Sequence, residues 1–231
     1  MIEREAVLRR VASRLFDAEP RAPVRVDRYE IIELIGAGGM GHVYAARDPQ
    51  LDRTVALKLL PPGFADDAGE TARLRQEART LARLAHPNIV HVYEFGRAGE
   101  RSYVAMEYVG GPTLRELQRS AADWRTILAL YLDAARGLIA AHEAGVVHRD
   151  FKPANVLVSR GMHVRVADFG IARVSREGDA TGRASGAVGR DQTSSTAGAG
   201  SSATAGTPAY MSPEQLAGVA VGPASDQFSY C

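Results

Sequence analysis

The sequence predicts an α+β fold in two lobes, a β-rich lobe over residues 29–109 and a helical lobe over residues 110–231. Strand patterns recur through the first part, whereas helical periodicity dominates the second. Between them, Gly110-Gly111-Pro112 interrupts both patterns. A length of 231 residues and an apolar content of 45% are sufficient for a sizeable core.

Composition argues against several classes of protein. The net charge of +1 speaks against nucleic acid as a partner of the whole molecule. Cys231 is the only cysteine, so no intrachain disulfide can form, as expected in a reducing compartment. Because the sequence has no run of eighteen apolar residues, we predict no membrane segment. We expect a cytoplasmic protein, or the cytosolic part of a membrane-anchored one if the full-length chain continues.

Residues 1–28 precede the first lobe as a predicted helix and linker. A basic helix over residues 3–16 has one apolar face, formed by Val7, Leu8, Val11 and Leu15. Pro20 and Pro23 end it. A surface helix or frayed extension fits this pattern, and binding to a membrane surface or a partner is the alternative.

The first lobe is predicted to contain five strands and one helix. β-Branched and alternating patterns predict strands over residues 29–35, 43–46, 54–59, 89–95 and 102–108. Apolar residues at spacings of three and four predict the helix over residues 67–84.

The second lobe begins with two predicted helices. Thr113 caps a short helix through residue 118, and a long helix follows over residues 124–144. One stripe of the long helix is formed by Ile127, Tyr131, Ala134, Leu138 and His142. Gly145 ends this helix, and short strands are predicted at 156–158 and 164–166.

Residues 174–205 differ in composition from the rest of the chain. Of these 32 positions, ten are Ser or Thr, seven are Ala and six are Gly. Such a segment cannot bury enough apolar surface to offset the entropy of ordering it, so we expect it to be disordered.

A glycine-rich run in the first lobe is the first candidate for nucleotide binding. The pattern G-x-G-x-x-G-x-V is formed by Gly36, Ala37, Gly38, Gly39, Met40, Gly41, His42 and Val43. Glycines let backbone amides approach phosphates without a Cβ clash. A dinucleotide-binding fold would continue into a helix and place an acidic residue about twenty positions on. Here a strand follows and the residue at that distance is Lys58, so a hairpin over phosphates is favoured; a purely structural hairpin is the alternative.

Lys58 lies in an apolar strand, where a buried ammonium requires a partner. Glu77 falls on the same predicted helix face as Leu74, Leu81 and Leu84, and therefore points inward. We predict a Lys58–Glu77 ion pair. Glu70, nearer the start of the helix, is the alternative partner.

The densest group of chemically active residues lies between positions 148 and 170. It reads His148-Arg149-Asp150-Phe151-Lys152-Pro153-Ala154-Asn155, and Asp168-Phe169-Gly170 follows a short apolar strand. Two carboxylates, a lysine and an amide at these offsets suit a site for metal ions and a polyphosphate. The group resembles the catalytic loop and metal-binding turn of eukaryotic-like (Hanks-type) bacterial serine/threonine protein kinases.

The resemblance implies a bilobal protein-kinase-like fold and a role for each of these residues. Asp150 would be the base or hydroxyl-orienting residue, and Lys152 would reach the γ-phosphate. Asn155 and Asp168 would bind Mg²⁺ (or Mn²⁺), while Lys58, aligned by Glu77, would contact the α- and β-phosphates of ATP. Lysine at position 152 is the serine/threonine-kinase pattern.

The resemblance also implies an adenine site between the lobes. Ile35, Val43 and Ala56 would form its roof and Leu157 its floor. The hinge would be formed by Met106, Glu107, Tyr108 and Val109, whose backbone groups would bond the base. Met106 would guard the pocket behind the base.

Residues 206–214 resemble the segment that seats a peptide substrate in this family. Thr207 would bond to Asp150 and Lys152, and Arg149 could pair with a phosphate on the 174–205 segment. Ser212 and Phe151 depart mildly from the family pattern. The implied function is a signalling transferase that phosphorylates Ser and Thr of protein substrates, including its own activation loop, with self-association for trans-autophosphorylation.

The resemblance covers residue 29 to the end of the sequence, and residues 225–231 look like the start of the central helix of the second lobe. Asp226 would brace the catalytic loop from that helix. We therefore expect an incomplete helical lobe, poor stability and weak activity. The alternatives are a catalytically weak fragment or pseudokinase-like ATP-binding module, and a small-molecule kinase of related fold.

Overall fold

The structure of the chain is a computed structural model. The structure describes residues 23–38, 41–61, 68–120, 122–169 and 208–231. It leaves undescribed the side chains at 68, 70, 71, 73–75, 77, 78 and 208. The predicted N-terminal helix, the 174–205 segment, Gly39, Met40, Gly170 and Thr207 lie outside the described residues.

The first lobe is a six-stranded antiparallel sheet with the strand order β1-β2-β3-β4-β6-β5. Its strands are β1 (Arg25–Val26), β2 (Tyr29–Gly38), β3 (Gly41–Asp48), β4 (Arg53–Leu59), β5 (Val92–Ala98) and β6 (Arg101–Glu107). Helix α1 (Ala68–Arg83) connects β4 to the last two strands and buries Leu81. The fold prediction of a β-rich lobe with one long helix is confirmed.

Two strand predictions in this lobe differ from the structure. The two-residue strand β1 was not predicted, since it is too short for an alternating pattern and is defined by pairing with Tyr29 and Glu30. The strand predicted over residues 89–95 starts only at Val92. Ile89 and Val90 leave the sheet because they bond to Val166 in the second lobe.

The sheet has a separate apolar cluster on each face. One cluster joins Tyr29, Tyr44 and Tyr103 to aliphatic residues of four strands, and Tyr29 and Tyr103 meet edge to face at 5.8 Å. The other cluster includes Ala56, Val104 and Met106 and continues into the second lobe. A shared core therefore joins the sheet to the helical lobe.

The described part of the second lobe contains four α-helices and two strands. They are α2 (Leu114–Arg119), α3 (Trp124–Glu143), β7 (Val156–Val158), β8 (Val164–Val166), α4 (Pro213–Leu216) and α5 (Pro223–Tyr230), with 3₁₀ turns at Pro153–Asn155 and Pro208–Tyr210. Thr113 and Glu116 form a capping box at α2, and Asp123 caps α3. Gly145 ends α3 with a φ of 75°.

The lobes are joined by backbone pairing as well as by the shared core. Val90 donates to the Val166 carbonyl at 2.9 Å, and the Val166 amide donates to the Asn88 carbonyl at 2.8 Å. Gly137 of α3 makes this approach possible, because a Cβ there would lie 2.6 Å from the Asn88 oxygen. The segment before β5 is thus fixed to β8. In the described ranges, no helix is both long and apolar enough to cross a membrane.

Candidate active site

Three of the predicted catalytic residues meet in the loop between α3 and β7. Lys152 donates from Nζ to Asp150 Oδ2 at 2.8 Å. Asn155 donates from Nδ2 to the Asp150 carbonyl at 2.8 Å and to its Oδ2 at 3.2 Å. The turn at Pro153–Asn155 brings the amide back to the aspartate. The loop therefore holds a carboxylate, an ammonium and an amide within one hydrogen-bonded group.

Asp226 of α5 fixes the start of this loop. Its Oδ2 accepts the His148 backbone N–H at 2.6 Å, and its Oδ1 accepts that of Arg149 at 2.7 Å. His142 Nε2 lies 2.8 Å from Oδ2. Only 1% of Asp226 is exposed, so these partners are what stabilises the buried carboxylate. Arg149 has a φ of 65°, a strained conformation held by these bonds.

His148 is buried in a neutral form between the loop and the end of β8. Its Nε2 must carry the proton, since it faces the Ala167 carbonyl at 2.9 Å, and its Nδ1 accepts the Asp150 backbone N–H at 3.2 Å. Burial lowers the pKa of His148, and the charge of Asp226 and the bond to Ala167 only partly oppose that shift. Its ring centroid lies 4.6 Å from that of Phe169, and the two ring planes are tilted by 38°.

The neutral His148 makes stability depend on pH. The unfolded chain binds a proton near pH 6.5 and the folded chain only at lower pH, so the contribution is complete above about pH 6.5 and is lost as pH falls below it. In urea titrations from pH 8 to pH 5, the wild type should lose more stability than His148→Gln. An unchanged slope in His148→Gln would contradict the assignment.

Asp168 follows β8 and pairs with Lys58 across the lobes. Lys58 Nζ donates to Asp168 Oδ1 at 2.7 Å. Burial alone would raise the pKa of Asp168, but the charge and hydrogen bond of Lys58 outweigh it and hold that pKa below its usual value. Asp168 has a φ of 58°, and the Ala167 amide before it donates to the Asn155 carbonyl at 2.8 Å. The two predicted metal ligands are thus held by one backbone link.

Lys58 lies on β4 and is 8% exposed. Asp168 is its partner among the described side chains. Glu77 lies on α1, but its side chain is outside those described, so the predicted Lys58–Glu77 pair stays a prediction.

The glycine-rich run forms the hairpin of β2 and β3. Gly36 pairs with Val43, Ala37 with His42, and Gly38 with Gly41. The prediction of a hairpin, rather than a turn into a helix, is confirmed over these residues. Its tip at Gly39 and Met40 is outside the described residues.

Gly41 is the position in this hairpin that requires glycine. Its φ is 112°, and a Cβ would lie 2.0 Å from the Leu59 carbonyl. Gly41→Ala should therefore lower the free energy of unfolding by about 1–3 kcal/mol. Gly38→Ala is the matched control, since a Cβ there meets nothing within 4 Å. Equal urea midpoints for the two variants would contradict this reading.

Most of the residues predicted to surround adenine lie around the junction of the lobes. Val43, Ala56, Met106, Val109 and Leu157 belong to or pack against one apolar cluster. Ile35, on β2, is 43% exposed and lies outside that cluster. Glu107 ends β6, and Tyr108 begins the exposed link to the second lobe.

A small pocket lies between the sheet and the residues that follow β8. Lys58 and Asp168 line it together with apolar residues that include Leu81, Met106 and Phe169. Met106 is therefore next to the Lys58–Asp168 pair as well as at the predicted hinge.

Sequence analysis missed two residues that support the loop, Gln215 by contacting it directly and His142 by contacting Asp226. Gln215 donates from Nε2 to the Arg149 carbonyl at 2.6 Å, and His142 was placed only on an apolar stripe. Ser212 and Gln215 form the capping box of α4, so the S-x-x-Q spacing was a readable signal. The same cap gives a structural reason for serine at 212.

Comparison with known proteins gives consistent matches. The family model described as "Protein kinase domain" matches residues 29–231. Serine/threonine-protein kinase PknB of Mycolicibacterium smegmatis is 40% identical over 209 residues, which cover 88% of this chain and 31% of that protein. Probable serine/threonine-protein kinase SCO3848 of Streptomyces coelicolor is 41% identical over 208 residues, 87% of this chain and 28% of that protein.

A solved structure gives the same result for the fold. The crystal structure of the Mycobacterium tuberculosis PknI kinase domain superposes with a TM-score of 0.64 at 29% identity. The match covers 91% of this chain and 74% of that one. The chain thus spans about a third of the curated relatives' length and most of a solved kinase-domain chain.

Proposed function

Since the chain belongs to the serine/threonine protein kinase family, we propose that its site transfers the γ-phosphate of ATP to Ser and Thr hydroxyls of proteins. The main support is that two groups of charged and polar residues lie in the same site. Asp150, Lys152 and Asn155 form one hydrogen-bonded group, and Lys58 and Asp168 form the other. These groups supply a proton acceptor, two cations and two oxygen ligands around one cleft.

Asp150 takes the proton of the acceptor hydroxyl. The hydroxyl oxygen bonds to the γ-phosphorus, its proton passes to the Asp150 carboxylate, and the bond to the bridging oxygen breaks to release ADP. Lys152, 2.8 Å from Asp150, supplies positive charge next to the transferred group. Thr207 is assigned to this group only by its place in the family pattern.

Asn155 and Asp168 fit Mg²⁺ as its protein ligands. Both present oxygen atoms, and the pKa of Asp168 is lowered, so that its carboxylate is charged at neutral pH. Across the described ranges there is no cluster of three or more His, Cys, Asp or Glu that could hold a metal. Mg²⁺ suits this donor set, because it is commonly held by one or two protein ligands together with water and substrate phosphates. When bound, it neutralises charge on the phosphates.

ATP binding is assigned to the hairpin and the hinge. Backbone amides from Gly36 to Val43 cover the phosphates, and the hinge at Met106–Val109 bonds the base. Lys58 contacts the α- and β-phosphates, with Glu77 as its proposed second partner. Autophosphorylation within residues 174–205 and self-association belong to the same proposal.

Mass spectrometry tests the reaction and its substrate class together. The protein is incubated with Mg²⁺ and ATP labelled at the γ-phosphate, in one tube with a protein mixture and in another with a metabolite extract. We expect label on Ser and Thr of proteins, including sites in residues 174–205. Label on metabolites alone would instead favour a small-molecule kinase.

A further inference from the structure

One guanidinium connects three segments at the edge of the lobe junction. Arg165 lies on β8 and donates from Nε to both carboxylate oxygens of Glu107. The distances are 3.1 Å to Oε1 and 3.2 Å to Oε2. Its Nη1 donates to the Pro87 carbonyl. Glu107 ends the last sheet strand of the first lobe, and Pro87 precedes β5. The ion pair therefore bridges the lobes.

The Glu107 carboxylate is itself held in place. The His91 backbone N–H lies 3.3 Å from Glu107 Oε2, and the Glu107 amide donates to the His91 carbonyl at 2.8 Å. Arg165 consequently contacts a residue whose backbone and side chain are both fixed. A planar guanidinium is suited to binding a carboxylate that is fixed in position, because its N–H donors also have fixed directions.

The residues on either side of Arg165 make hydrogen bonds that join the two lobes. Val166 exchanges bonds with Asn88 and Val90, and Asn88 Nδ2 lies 3.3 Å from the Val164 carbonyl. Asp168 is the second residue after Val166 along the same chain. If Arg165 moved away from the hinge, β8 would move with it, and so would Asp168, the proposed metal ligand.

We propose that Arg165 is a positioning residue that holds the hinge in register with the strand leading to Asp168. The base of ATP would be bound at the hinge and its phosphates near Asp168. The distance between the hinge and Asp168 therefore decides whether one ATP molecule can contact both at the same time. This part of the inference rests on the proposed function. The structural part, a tether between the lobes, does not.

The effect on overall stability is expected to be small. About a quarter of each side chain is exposed, 25% for Arg165 and 28% for Glu107, and ion pairs of that exposure contribute little to folding. The expected effect is local, because the bridge restrains motion between the lobes.

Hydrogen exchange tests the tether without any nucleotide. In Arg165→Gln, exchange of the amides of Val90, Glu107 and Val166 should accelerate about three- to tenfold, as expected for easier local opening. Arg165→Lys should restore part of the protection. Arg136→Gln is the matched control, since its pair with Asp133 lies within α3. Unchanged exchange at these amides, or equal acceleration in the control, would overturn the proposal.

Kinetics tests its consequence for ATP. Arg165→Gln should raise the KM for ATP about tenfold while kcat changes less than threefold, the pattern of lost ground-state binding. Glu107→Gln should give a similar rise, and the double variant should add little to either single change. A wild type without phosphoryl transfer would contradict the proposed function but leave the exchange result as it stands. Fully additive effects of the two substitutions would overturn the tether.

Discussion

Asp150→Asn is expected to reduce phosphoryl transfer by a factor of about 10²–10⁴, because the amide cannot take the hydroxyl proton. Nucleotide binding should remain, since Asp150 contacts Lys152 and Asn155 and is not assigned to hold ATP. The measurements are the initial rate of phosphate transfer and the rise in melting temperature with Mg²⁺ and ATP.

Asp52→Asn serves as the matched control for this substitution. Asp52 is an exposed carboxylate paired with Arg47, remote in sequence from the loop, and its replacement should leave the rate unchanged. A full rate in Asp150→Asn would remove Asp150 from the mechanism. Loss of nucleotide binding in that variant would mean that the substitution disturbs more than proton transfer.

Asp226→Ala is expected to lower the free energy of unfolding by about 2–6 kcal/mol, because each of two buried amides that loses its acceptor costs about 1–3 kcal/mol. The substitution leaves the amides of His148 and Arg149 without their acceptor in a buried site. Arg149 would then have no restraint from this carboxylate on its left-handed conformation. Urea unfolding followed by circular dichroism measures the change.

Asp226→Asn separates the loss of charge from the loss of the acceptor. It keeps one carbonyl oxygen for the loop amides, so its destabilisation should lie between those of the wild type and Asp226→Ala. Asp52→Asn should change stability by no more than about 0.5 kcal/mol. Equal stability of Asp226→Ala and the wild type would show that the loop is held by other contacts.

Local sequence patterns predicted the elements whose ends are determined locally. Strands β7 and β8 begin and end at the predicted residues, and α3 ends one residue before the predicted position. The β5 strand was predicted three residues too early, because Ile89 and Val90 are as apolar as the strand itself. Their pairing with Val166 joins residues that are far apart in the sequence, so it produces no pattern in the sequence around Ile89 and Val90.

The same distinction separates the predicted from the missed parts of the site. Asp150, Lys152 and Asn155 lie within six residues of one another, so the loop motif contains their geometry. The contacts of His142, Gln215 and Arg165 instead span 84, 66 and 58 residues. Such contacts depend on how the lobes and helices pack against one another. The spacing of residues within a motif contains no information about that packing.

The most direct measurement is phosphoamino-acid analysis of wild-type protein after incubation with γ-labelled ATP. The samples contain either Mg²⁺ or a chelator, and an acceptor protein is present in each. We predict labelled phosphoserine and phosphothreonine with Mg²⁺, and neither with the chelator. If Mg²⁺ and ATP stabilise the protein but no label reaches a Ser or Thr hydroxyl, the site binds nucleotide without transferring phosphate, and the central claim is contradicted.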